Sequence, residues 1–185
     1  CGTGIYVKIL TRKGAKVKGM DISKEEIKIA RRENPKVEFE IGNVEKLPYK
    51  SEEFDIVLAA LVLEHFKDWN KVLKEIKRVL KKNGLFIFSM GNSVVNCIRM
   101  KSPKKVEIVR NYYKEERISS HWWQNIYMTW HHKTFGTIVK YLVKNNFELV
   151  DYEDAKPLKQ AKKLFPKEYI FTSNLPYFCT WKWRK

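Results

Sequence analysis

Residues 54–63, FDIVLAALVL, constrain the fold more than any other stretch. The run carries one charge, Asp55, and is too short to span a bilayer, which takes about 20 apolar residues. It also lacks the alternation of a strand with one wet face. A strand buried on both faces belongs to a parallel sheet covered by helices on either side. The run is therefore predicted to be a central strand of such a sheet.

The neighbouring segments fit that sheet. Ile5, Tyr6, Ile9 and Leu10 recur at helical spacing, and Gly14 stops the segment. AKVKGMDIS reads as a strand running into a helix start, where Ser23 and Glu26 form a capping box. The helix from Lys24 to about Glu33 ends at Asn34-Pro35, because a residue before proline is pushed out of helical conformation. KVEFEIGN follows as a strand and EKLPYKSEE as turn. NKVLKEIKRVLKKNG puts Val72, Leu73, Ile76, Val79 and Leu80 on one helix face, with Asn83-Gly84 as the stop, and LFIFSM returns as a buried strand. Thr134 caps a further helix to Lys144, and FELVDYEDA and EYIFTSNLPYFCTWKWRK read as two late strands, antiparallel at one edge. This alternation predicts an α/β fold, a doubly wound and mostly parallel sheet with right-handed crossovers. Residues 92–133 break the pattern with aromatics and charge, which suits a cap inserted over the ligand-binding edge. The chain is read as a single domain, its core about 1–91 and 134–185.

In a doubly wound sheet, ligands bind outside the carboxyl ends of the strands, where a glycine turn meets a helix start. CGTG, DIS and GN all fall on that edge. Gly2 and Gly4 let backbone approach a ligand closely, and Asp21 stands where an acid accepts both hydroxyls of a ribose. Together they point to a nucleoside-containing cofactor. A dinucleotide would want G-x-G-x-x-G, whose third position here is Val7.

The order of glycine turn, ribose acid, EKLP loop, EFDIV strand, LEH and LKKNG over residues 1–90 resembles the class I S-adenosylmethionine-dependent methyltransferases, in particular their quinone and small-molecule group. The resemblance implies S-adenosyl-L-methionine as cofactor. Gly2, Thr3 and Gly4 would then hold the methionine end, Asp21 the ribose, and Ile22 would pack on the adenine. Asn43 stands where the family has an aspartate that reaches the adenine amino group, and Val44 offers a backbone amide. Ala60 and Leu61 would line the methionine moiety, and Glu64 and His65 match the family's Glu-His pair. The implied reaction is in-line attack by an acceptor nucleophile on the sulfonium methyl, for which the protein has chiefly to align the two and exclude water. A catalytic residue stays unassigned: the candidates are His65, Tyr127 and His131, and His65 equally reads as a structural histidine beside Phe66. The family carries a strand of the form hydrophobic-hydrophobic-Asp/Glu-x-Gly ahead of the turn, so an N-terminally truncated sheet is expected.

A net charge of +16 over 185 residues keeps RNA as a rival partner, although lysines spread from Lys8 to Lys185 also serve solubility. No NPPY-type stretch follows the FDIV strand, which disfavours methylation of base or amide amino groups. A small-molecule acceptor leads, with RNA methylation or a non-catalytic methyltransferase-like partner subunit as alternatives. Cys1, Cys97 and Cys179 are too scattered for a metal pair or a disulfide framework, and no signal sequence appears, so a soluble cytoplasmic protein is expected. His121, Trp122, Trp123, Tyr127, Trp130, His131 and His132 read as the wall of a substrate pocket. The alternatives are a base-stacking platform or a metal site, which adjacent histidines serve poorly.

Overall fold

The computed structural model describes residues 1–102, 105–121 and 127–185. Trp122 and Trp123 of the aromatic wall lie outside the described residues, and so does the His121 side chain. In chain order the elements are α1 (Ile5–Arg12), β1 (Lys18–Asp21), α2 (Lys24–Glu33), β2 (Glu38–Ile41), β3 (Phe54–Ala60), α3 (Asn70–Val79), β4 (Leu80–Gly91), β5 (Ile98–Ser102), β6 (Lys105–Ile108), β7 (Arg117–His121), β8 (Tyr127–His131), α4 (Phe135–Lys144), β9 (Glu148–Asp154), α5 (Ala161–Leu164), α6 (Pro166–Asn174) and β10 (Phe178–Arg184). Short 3-10 turns cover Leu63–His65 and Val95–Cys97.

Local chemistry sets the helix starts. The Ser23 hydroxyl accepts the Glu26 N–H at 3.2 Å, and the Thr134 hydroxyl accepts the Thr137 N–H at 3.1 Å, each satisfying a donor the first turn leaves unpaired.

The fold is α/β, with its parallel strands divided between two sheets. β1 and β2 pair in parallel, Lys18 opposite Glu38 and Asp21 opposite Ile41. A four-stranded sheet runs β3-β4-β10-β9, with β3 parallel to β4 and β10 antiparallel to both neighbours. The antiparallel edge is as expected.

Three expectations need correcting. FDIVLAALVL is not buried on both faces: Val57 and Ala59 turn to the core, whereas Ile56 is 53% and Leu58 39% exposed. Among the described residues β3 hydrogen-bonds to β4 alone. The Asn83-Gly84 stop does not end α3, which closes at Val79. Leu80, fully buried, is already extended opposite Phe54, and the register jumps so that Ile56 faces Leu85. Asn83, at φ 62°, sits in the resulting bulge. EYIFTSN is helix, in α6, where Pro166 in the first turn presets the helical φ.

Two cores result. The larger joins Trp69, Leu73 and Ile76 of the α3 region to Phe86 and Phe88 of β4, Ile138 and Leu142 of α4, and Trp181 and Trp183 of β10. The smaller holds Val7, Ile27, Ala30 and Phe39. Among the described residues of 92–133, β5 pairs antiparallel with β6 and β7 with β8. Among the described residues, no helix is long and apolar enough to cross a membrane.

Candidate functional site

The glycine turn, Asp21 and the end of β2 form one connected group. Gly2 and Gly4 adopt φ 53° and 83°, the left-handed region that glycine enters freely. Gly4 is buried against α2, where an added Cβ would stand 2.7 Å from Asn34 Nδ2. Asp21, the last residue of β1, ties the turn to the sheet. Its Oδ2 accepts the Gly2 N–H at 2.8 Å, while Oδ1 accepts the Ser23 N–H at 3.1 Å. The Asp21 carbonyl in turn accepts the Gly42 N–H at 2.9 Å, which sets the end of β2 beside it.

Ile22, next to that carboxylate, is 72% exposed. Asn43 is exposed too, and its Oδ1 accepts the Glu45 N–H at 2.9 Å, closing a local turn that keeps one lone pair free. Val44 packs on the larger core, and Thr3 is half-buried in the glycine turn.

A second group lies at the carboxyl end of β3. Leu61, after Ala60, is held at φ 55° with its N–H donated to the Ser89 carbonyl at 2.9 Å. A branched residue in that conformation is strained and persists only where its surroundings fix it. In the turn that follows, the Glu64 carboxylate accepts the Gly91 N–H at 2.9 Å. Burial pushes the Glu64 carboxyl up, against the Gly91 bond and His65. His65 Nδ1 lies 3.0 Å from the Thr129 carbonyl, so it carries the proton and donates, which leaves Nε2 free in the neutral ring. Among the described residues no hydrogen bond joins the two groups.

The structure places β8 against the Leu63–His65 turn, which brings His131 toward His65. Burial, with Lys133, Arg117, Lys67 and His65 around it, pushes the His131 imidazole down. Tyr127, 63% exposed, starts the same strand. His132 parts from its neighbours and goes to the core, with Nε2 2.8 Å from the Tyr112 carbonyl. A surface cleft of about 430 Å³ between Lys18, Glu38, Glu40, Tyr49 and Glu53 contains none of these residues. Sequence reasoning missed Arg117, directly opposite His131 on β7. Its pairing needed the hairpin register, which spacing did not supply. Leu61's left-handed backbone had no signal at all, since nothing marks leucine for that region.

Residues 1–88 match the family described as "Methyltransferase domain". Over 71 residues the chain is 42% identical to a demethylmenaquinone methyltransferase of Chlorobaculum parvum, a match that covers 38% of this chain and 30% of that protein. Over 99 residues it is 31% identical to a ubiquinone biosynthesis O-methyltransferase of Pelagibacter ubique, covering 51% and 41%. The matches thus span less than half the length of these curated relatives. Among solved structures, an S-adenosylmethionine dependent methyltransferase from Mesorhizobium loti aligns with TM-score 0.85 at 22% identity, covering all of this chain and 88% of that one. One described as a putative S-adenosylmethionine dependent methyltransferase, from Listeria monocytogenes, gives 0.83 at 24%, covering all of this chain and 86% of that one. At these identities the likeness is one of fold.

Proposed function

We propose that the chain is a class I S-adenosylmethionine-dependent methyltransferase, a reading supported by the methyltransferase-domain match over residues 1–88 and by the shared fold, and that it transfers the methyl group of S-adenosylmethionine to a small-molecule acceptor. One observation carries the cofactor reading: Asp21, at the carboxyl end of β1, has its carboxylate fixed between the Gly2 and Ser23 N–H groups while the neighbouring Ile22 stays open. A half-buried carboxylate preorganised in this way suits a pair of ribose hydroxyls, and an exposed isoleucine beside it suits a flat base. The residues present fit the group.

Gly2, Thr3 and Gly4 would hold the methionine end, Asp21 the ribose and Ile22 the adenine. Asn43 would meet the adenine amino group through its remaining lone pair, with the Val44 amide nearby. Ala60 and Leu61 would wall the methionine from β3. When bound, the cofactor supplies an activated sulfonium methyl, so the protein's task is alignment and exclusion of water. His65, its Nδ1–H committed to Thr129, presents Nε2 to take a proton from an acceptor hydroxyl or amine. His131 and Tyr127 are the other candidates.

The two curated relatives are named for demethylmenaquinone and for ubiquinone biosynthesis, and an organic acceptor of low molecular mass is in keeping with both names. Calorimetry with S-adenosylmethionine and S-adenosylhomocysteine tests the reading. Binding lost in Asp21→Ala supports it, and undetectable binding by the full-length protein overturns it. The charge of +16 keeps RNA as a second acceptor. RNA affinity would fall steeply with added salt, because many phosphates are neutralised at once, whereas affinity for a small acceptor with at most one anionic group would change little.

A further inference from the structure

Side chains alternate along a strand, so Arg117 and Ser119 of β7 share one face of the hairpin with Tyr127, Thr129 and His131 of β8. The register confirms the sharing: Arg117 is opposite His131 and Ser119 opposite Thr129, with Ser119 Oγ and Thr129 Oγ1 3.0 Å apart. Ile118, which is buried, and its partner Trp130 take the other face. The polar face is therefore the open one, and the Thr129 carbonyl fastens it to His65, four residues after Leu61 at the end of β3.

The charge on this face is one-sided. His65, Lys67, Arg117 and Lys133 all act on His131, and all are cationic or become so on protonation. The carboxylates close by are engaged elsewhere. Glu64, which acts on His65, accepts from the Gly91 N–H at 2.9 Å, Glu115 accepts from the Thr134 N–H and hydroxyl, Glu116 pairs with Lys114 at 2.6 Å, and Asp68 accepts from the Asn70 backbone and side chain. Lys133 donates to the Lys67 carbonyl and lies over the Trp69 and Tyr141 rings, so its charge is fixed in place. Arg117 is exposed, and among the described residues its guanidinium makes no hydrogen bond or ion pair. A planar guanidinium left unpaired in a positive field, beside the candidate proton acceptor, is a site for a planar or tetrahedral oxyanion.

We propose that the polar face of β7–β8, together with His65, is the acceptor subsite, and that the acceptor carries an oxyanion, a carboxylate or a phosphate, held by Arg117. This rests on the reading of the chain as a methyltransferase and adds the acceptor's chemical class. With the oxyanion on Arg117, the acceptor's nucleophilic atom is directed toward His65 and the end of β3.

Benzoate, phenyl phosphate and benzamide serve as probes, titrated at constant ionic strength while the imidazole NMR signals of His65 and His131 are followed. At least one of the two anions shifts both signals and benzamide does not, and the stronger anion identifies the group. Arg117→Ala weakens that anion roughly tenfold or more, as expected for a charge-assisted bond, and Arg117→Lys restores part of the affinity. Equal binding of benzamide, or an unchanged anion affinity in Arg117→Ala, overturns the proposal. S-adenosylhomocysteine calorimetry on the same samples separates the two readings. If the cofactor product fails to bind, the methyltransferase reading falls, and the anion titration still reports on Arg117 by itself.

Discussion

Gly4 and Gly14 both sit in the left-handed region, at φ 83° and 88°, but only Gly4 is also crowded. A Cβ at Gly4 meets Asn34 Nδ2 at 2.7 Å and Ala30 Cβ at 3.3 Å, whereas one at Gly14 meets nothing within 4 Å. Gly14→Ala should cost about 1 kcal/mol of backbone strain, and Gly4→Ala about 1–3 kcal/mol more as α2 is pushed away, read by chemical denaturation. Glu64 gives a pH dependence. Burial raises its carboxyl, so the folded chain holds a proton that the unfolded chain has released. Stability therefore falls as pH rises from the ordinary glutamate value to the raised one. Glu64→Gln should flatten that slope in denaturation curves taken across the acid range; an unchanged slope would remove Glu64 as its source. The roles drawn for Gly2, Asp21 and Ile22 were visible as residue types at the right spacing. The fixing of Asp21 between two N–H groups was not, because it depends on how α2 leaves the strand.

At the scale of elements, capping was legible because it is local: Ser23 and Thr134 act within three residues of themselves. Thr134→Ala should lose about 1 kcal/mol, seen as a lower melting temperature, since α4 carries Ile138 and Leu142 into the core and Glu115 also anchors on that hydroxyl. The elements misread are those whose fate is set from outside. FDIVLAALVL has the composition of a fully buried strand, and its exposure at Ile56 and Leu58 follows from which strands stand beside it. EYIFTSN is rich in β-formers, yet its backbone is satisfied within α6, which starts at Pro166.

Over the whole molecule, the two sheets have unequal support. The four-stranded sheet closes on a large aromatic core, while β1 and β2 rest on the small cluster of Val7, Ile27, Ala30 and Phe39. Opening free energy follows buried apolar contact, so amide hydrogens of β1 and β2 should exchange faster than those of β4 and β10 under native conditions. Cofactor bound at Asp21 should slow the exchange in β1 by mass action. Equal protection of both sheets in the free protein would show that they open as one unit.

The sequence alone determined the class of fold, the starts of α2 and α4, and the glycine turn and acid, Gly2, Gly4 and Asp21, on which the cofactor proposal rests, because glycine freedom, capping and hydrophobic period act over a few neighbouring residues. Tertiary structure decided how the strands divide between two sheets, the strained Leu61, the burial of Glu64, and the meeting of Arg117, His131 and His65. Each of these depends on register or packing between segments far apart in the chain, and no local spacing encodes it.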